Sequence, residues 1–245
     1  MAVADPQNNQ LTEKASLADF LITQRWAPVH PDRIQLYGFG TPNGVKIPIA
    51  LEELGLEYEA HIVPLSDEHV KSDEFLSLSP NNKIPAIVDP AGPNNRPIGI
   101  FESAAILMYL GNKSDKLLGA EEHERYEVMQ WLMFQIGSVG PMFGQFGFFY
   151  AFGGKDIEDP RPRQRYLDEV KRILNVVNRR LEERAWITGE YSIADVAIGP
   201  WLQTIPRFYK AEKDTGYDQL PRVMAYVERF SERPAVQKGW DAFSA

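Results

Sequence analysis

The chain has 245 residues, a formal charge of −8, 44% hydrophobic residues and no cysteine. That length buries a substantial core and suits one large or two modest domains, of which two is the expected arrangement. An acidic balance without a dense Lys/Arg run excludes a nucleic-acid-binding surface, and the missing thiols exclude a protein thiol nucleophile, a disulfide and a thiolate metal site.

The four histidines, His30, His61, His69 and His123, are not at metal-ligand spacing, so no metal is expected. No apolar run approaches the roughly 20 residues that span a bilayer, and no membrane partner is expected. The start, MAVADPQNNQLTEK, lacks the basic-then-apolar form of a secretion signal, so a cytoplasmic location is expected.

Residues 1–32 read as an N-terminal extension: polar, then mildly amphipathic over Ser16–Ile22, then an extended arm from Trp26 to Pro31 that packs on a surface. Ile34 to Tyr37 is strand-like and ends in the turn cluster Gly38–Gly44. After it Ile47, Ala50, Leu51 and Leu54 recur at helical spacing, with Pro48 near the helix start and Gly55 closing the end. Tyr58–Val63 reads as a second strand, completing a right-handed β-α-β unit. A short helical turn at Glu74–Leu78 precedes two more strand-like runs, Ile84–Val88 and Ile98–Phe101, joined by a Pro/Gly/Asn loop and feeding a helix from Ser103 to Leu110. This order predicts an α/β thioredoxin-like N-terminal domain with a mixed four-stranded sheet over residues 33–111.

Residues 112–120 are polar and Gly-containing and read as a linker to an all-α helical domain, 121–245. Val128, Trp131, Leu132, Gln135, Ile136 and Val139 mark a long helix broken near Gly140-Pro141. Tyr166, Val170, Ile173, Leu174, Val177 and Leu181 mark another. Ser192-Ile-Ala-Asp195 has the form of a capping box opening an apolar helix through Trp201, and helices near Val223–Phe230 and Ala235–Phe243 finish the chain.

The stretch Ser79–Ser103 carries the chemistry. A cis Ile84–Pro85 bond turns the N–H and C=O of Ile84 outward, where an extended peptide can bind them; a trans bond leaves an ordinary hairpin. At the start of the following helix, the Ser103 N–H, its hydroxyl and the positive helix end converge on a spot that favours a carboxylate, and Glu102 adds a partner for an ammonium. The alternative reading of Glu102-Ser103 is a plain helix cap. A backbone clamp beside an amino-acid zwitterion receptor suits a small γ-linked peptide such as glutathione.

A cysteine-free α/β layer with these motifs, followed by a helical half with a Ser-x-x-Asp box, resembles the cytosolic glutathione transferases over roughly residues 34–243. The strings Gly40-Thr-Pro-Asn-Gly44, Ser79-Pro-Asn-Asn-Lys-Ile-Pro-Ala86, Phe101-Glu-Ser103 and Gly140-Pro-Met-Phe-Gly-Gln145 are similar to those of the bacterial nu class and the fungal nitrogen-regulator-like transferases. The resemblance implies that Ile84 clamps the cysteinyl part of glutathione and that Glu102 with Ser103 holds the γ-glutamyl end. It also implies that Thr41 and Asn43 are the catalytic pair beside the sulfur, where a hydroxyl and an amide at a helix mouth stabilise a thiolate. An ordinary helix cap is the alternative for both. An Arg of the partner subunit in a homodimer reaches the ligand in such proteins, and Arg165 matches it; a solvated helix charge is the alternative. A Gln or His contacts the glycyl end in relatives, where this chain has Val70 with His69 one place off. Lys46 and Lys83 lie near enough in sequence for the glycyl carboxylate, or for the surface.

Phe143 to Phe152 holds six aromatics in ten residues. Packing accounts for part of them, and Phe146, Phe149 and Tyr150 are expected to wall a second-substrate pocket, with Trp131, Met142 and Trp201 in the core. The expected function is glutathione-dependent disulfide-bond reduction, with peroxidase and weak glutathione S-transferase side activities. Without a protein thiol, both reacting sulfurs must come from glutathione. The alternatives are a glutathione S-transferase acting on electrophilic small molecules and a non-catalytic glutathione-binding regulator.

Overall fold

The computed structural model describes residues 16–244; residues 1–15, the first half of the expected N-terminal extension, and Ala245 lie outside the described residues. The four strands β1 (Ile34–Gly38), β2 (Tyr58–Ile62), β3 (Ala86–Asp89) and β4 (Ile98–Phe101) form one mixed sheet in the order β2-β1-β3-β4. β1 runs parallel to β2 and antiparallel to β3, which pairs antiparallel with β4. The third strand starts two residues later than its sequence suggests, because pairing begins at Ala86, opposite Tyr37 on one side and Phe101 on the other.

Every residue of β1 is buried, since both sheet faces are covered. The helices α1 (Ile22–Arg25), α2 (Lys46–Leu54), α3 (Asp67–Val70), α4 (Asp73–Leu78) and α5 (Ser103–Ser114) do the covering. On one face Tyr37, Ala86 and Val88 pack with Ile22 of α1 and Phe75 of α4. Trp26 closes this layer edge-on to Tyr37 and Phe75, at 6.2 Å from each, so the arm does pack on the sheet. On the other face Ile34, Leu36 and Ile87 meet α2 and α5. α5 continues through Ser114, so the first residues of the expected linker are its last turn.

The helical half contains α6 (Glu122–Phe134), α7 (Gly140–Tyr150), α8 (Pro160–Arg180), α9 (Ile193–Leu202), α10 (Glu212–Thr215), α11 (Pro221–Ser231) and α12 (Pro234–Asp241). The break expected near Gly140-Pro141 is absent: Gln135–Val139 form a π-helical turn and Gly140 keeps helical angles, so α6 runs into α7 without leaving the helix. Pro141 falls in the first turn of α7, where its missing N–H disrupts least. The buried residues of α8, Val170, Ile173, Leu174 and Val177, show why its stripe was legible.

One apolar cluster runs from Ile34 of the sheet through α2 and α9 to Phe243, welding the two halves together. Gly239 of α12 allows the closest approach, as a Cβ there would lie 2.3 Å from the Ile49 side chain on α2. Beside it Arg233 clamps Glu53 of α2 through two bonds of 2.6 and 2.7 Å.

Candidate active site

The turn from β1 to α2 is closed by a glycine because nothing larger fits: a Cβ on Gly44 would lie 1.9 Å from the Phe39 carbonyl oxygen. Thr41 Oγ1 accepts the Gly44 N–H at 3.2 Å and its carbonyl accepts the Val45 N–H, so Thr41 caps this turn. Asn43 is placed at the mouth of α2 by the same turn. Its Oδ1 accepts the Trp201 indole N–H at 2.9 Å from α9, in the other half of the chain.

Facing it, the Ile84–Pro85 bond is cis and lies outside the β3 ladder, so the N–H and C=O of Ile84 are available to a ligand. Glu102 precedes α5 with a positive φ of 71°, uncommon for a non-glycine residue. Asn81 Nδ2 donates to Glu102 Oε1 at 3.5 Å. Ser103 opens α5 and is buried, with its N–H among those a helix leaves unbonded at its start.

Asn43, Asn81, Lys83, Ile84, Pro85, Glu102 and Ser103 together line a recess of about 200 Å³. It opens into a cleft of about 850 Å³ between the two halves, with Asn43, Lys83, Glu102 and Ser103 common to both. The far wall of the cleft is Gln135 and Ile136 of the π-helical turn, then Gly140, Pro141, Gly144, Gln145, Phe148 and Phe152 along α7, with Trp201 and Leu65 at its edges. Beneath the floor Lys46, fully buried, donates to Ser103 Oγ at 3.2 Å and to Gln135 Oε1 at 2.6 Å. Burial pushes its ammonium down to about 7, against the opposing field of Glu102.

Residues 41–113 match the family described as "Glutathione S-transferase, N-terminal domain", and residues 142–234 match "Glutathione S-transferase, C-terminal domain". The chain belongs to the glutathione S-transferase family. Among relatives of the chain is the disulfide-bond oxidoreductase YfcG of Escherichia coli, 42% identical over 204 residues, 82% of this chain and 92% of the relative. A Pseudomonas putida glutathione transferase, solved with one glutathione disulfide per subunit, is 53% identical with a TM-score of 0.91, covering 92% of this chain and 98% of the other. A Burkholderia graminis glutathione transferase, solved with two glutathione molecules per subunit, is 49% identical with a TM-score of 0.90, covering 96% and 98%.

The structure brings Asn43, Ile84, Glu102, Ser103 and Lys83 to one recess, while other expected residues stand elsewhere. Thr41 lies two residues before Asn43 and outside the lining, as a cap whose hydroxyl hydrogen is still free to donate. His69 is turned to Ser66 Oγ at 2.9 Å and lines neither cavity. Arg165 is exposed on α8 beside Glu169 and lines neither the recess nor the cleft.

The aromatic assignment is corrected. Phe146 is fully buried against Tyr150 and Tyr209, Phe149 stacks on Tyr166 of α8, and the Tyr150 hydroxyl donates to Asp214. None of the three lines the cleft, whereas Phe148 and Phe152 do. On a helix two residues turn the side chain by roughly 200°, so choosing Phe146 instead of Phe148 selects the opposite face. Of the two readings of Lys46 the surface one fails, because the side chain is fully buried, while Trp201 packs in the core as expected and also holds Asn43. Gln135 and Trp201 gave no local signal, because their partners lie in the other half of the chain. Among the described residues no group of three or more His, Cys, Asp or Glu side chains is placed to hold a metal, and no helix is long and apolar enough to cross a membrane.

Proposed function

We propose that this chain is a glutathione-dependent disulfide-bond reductase of the nu class, with peroxide reduction and weak transfer to electrophiles as side activities. Glutathione lies in the recess, its cysteinyl backbone paired with Ile84 and its γ-glutamyl carboxylate on the Ser103 N–H and hydroxyl. Its ammonium meets Glu102, and Lys83 stands at the rim for the glycyl carboxylate. The sulfur sits at Asn43, where the helix end of α2 and the amide N–H₂ favour the thiolate.

The reaction then needs two glutathiones. The first thiolate attacks one sulfur of the substrate disulfide, forms a mixed disulfide and expels the other sulfur as a thiolate. A second glutathione thiolate attacks the glutathione sulfur of that mixed disulfide, releasing the remaining substrate thiol and leaving glutathione disulfide. The cleft adjoining the recess has room for the second molecule. The relatives solved with two glutathiones and with one glutathione disulfide represent the reduced and oxidised ends of such a cycle.

The observation that carries this reading is Asn43 at the junction of recess and cleft, in a protein without a thiol of its own. A two-fold homodimer in the cytoplasm, with Arg165 of the partner subunit completing the site, belongs to the same proposal. It is supported by the exposure of Arg165 and by the apolar stripe Tyr126, Met129 and Met133 on α6. The proposed division is a glutathione-binding unit over 33–111, a linker within 112–120 and a helical unit over 121–245.

The test sets turnover of a small mixed disulfide against turnover of an aryl halide, in the intact protein and in Asn43→Ala. The disulfide is the better substrate, and Asn43→Ala loses about 100-fold in turnover while glutathione affinity holds within a few-fold. Turnover of the aryl halide alone, or an Asn43→Ala protein as active as the parent, contradicts the reading.

A further inference from the structure

Lys46 is an unusual feature of the floor. It is fully buried, and both groups it touches, the Ser103 hydroxyl and the Gln135 carbonyl oxygen, are neutral. Lysine ion pairs among the described residues involve Lys71, Lys113 and Lys238 instead. The elements packed around Lys46 offer little charge. The acids of α2 itself, Glu52 and Glu53, bind Lys238 and Arg233. The single acid of α9, Asp195, is held by the Ile187 and Ser192 amides, and α7 and the π-helical turn carry no charged residue. The basic end of α5, Lys113, pairs with Asp89. That leaves Lys83 on the cleft wall and the exposed Glu102, whose field does reach Lys46.

We propose that Lys46 is the buried counter-charge for the γ-glutamyl carboxylate, a positioning residue that acts through the Ser103 hydroxyl and draws in a proton as the site fills. The inference rests on the reading of the recess as a glutathione site and adds a linkage that the reading alone does not require. Its geometry is a relay. The Lys46 ammonium donates to Ser103 Oγ, so that the hydroxyl hydrogen of Ser103 is directed elsewhere, and a carboxylate at the start of α5 is the acceptor that suits it.

The proton follows from the electrostatics. In the unliganded protein burial disfavours the charged lysine, and near neutral pH part of the population has lost its proton. A carboxylate one hydroxyl away favours the charged form, so the bound state holds more protons than the free state above about pH 7. Glu102 acts in the opposite sense when it meets the ligand ammonium, but it is exposed and its field is weakened by water, so the carboxylate dominates.

S-methylglutathione isolates this effect because it has no thiol to ionise. Calorimetric titration in two buffers of different ionisation heat, at about pH 7.5, reads a net uptake of protons on binding that declines as the pH falls toward about 6, where Lys46 is charged in the free protein as well. Lys46→Met keeps the length of the side chain and removes the charge. It abolishes the uptake, raises the dissociation constant about tenfold or more, and leaves the unliganded protein as heat-stable as the parent or more so. Binding without uptake, or a Lys46→Met protein with the affinity and uptake of the parent, overturns the proposal. Should Lys46→Met fail to fold, the uptake by the parent protein decides. Failure of the parent to bind S-methylglutathione at all overturns the glutathione reading, and this inference with it.

Discussion

The indole N–H of Trp201 can only donate, and it donates to Asn43 Oδ1. The amide is therefore fixed with its N–H₂ group turned away from the indole, toward the cleft that both residues line. A donor held in place before the thiolate forms is worth more than one that must be recruited. Trp201→Phe keeps most of the packing and frees the amide to rotate. The expected result is about a tenfold fall in kcat, a small change in KM for glutathione, and a pH–rate profile displaced to higher pH because the bound thiol ionises less readily. A proportional change in KM alone would instead mark Trp201 as a packing residue. This pairing was not legible in the sequence, since the two residues are 158 positions apart. Ile84, Glu102 and Ser103 were legible because each is placed by its own neighbours, a proline and the first turn of a helix, whereas Asn43 came from the family resemblance.

α9 delivers that indole, and its start is fixed by local side chains. Ser192 and Asp195 form the expected capping box, and Asp195 also accepts the Ile187 N–H at 2.9 Å, tying the preceding loop to the helix. The carboxyl is fully buried, and burial pushes it up to about 6 even though the amides of Ile187 and Ser192 pull the other way. Asp195→Ala leaves those amides without a partner in the interior and costs about 3 kcal/mol, read as a thermal midpoint lower by about 6–12 °C. Loss of less than about 0.5 kcal/mol would mean that the box is ornamental. A capping box is a local pattern and can be read from four residues. The π-helical turn at Gln135–Val139 cannot: it replaces the break that Gly140-Pro141 suggested, and it points Gln135 at Lys46 because the core between the halves requires it. The aromatic run after it shows the same limit, since the choice between Phe146 and Phe148 depends on the rotation of α7 against α8 and Tyr209.

At the level of the whole molecule, the sheet layer supplies the recess and the helical half supplies the far wall of the cleft into which it opens. The apolar cluster through α2, α9 and α12 holds the two together, with the Arg233–Glu53 clamp at its edge. The strand and helix order was legible from periodicity and turn residues, which are short-range signals. The depth of the cleft and the burial of Lys46 were not, because they arise from surfaces that come together only in the folded chain. The absence of cysteine gives the central claim a clean test, since any thiolate absorbance in the glutathione-loaded protein belongs to glutathione alone. Ultraviolet titration of that complex should show the thiolate forming at a midpoint about one to two pH units below that of a free thiol, and Asn43→Ala should return it toward the free value. A bound thiol that ionises at the same pH as free glutathione would contradict the account.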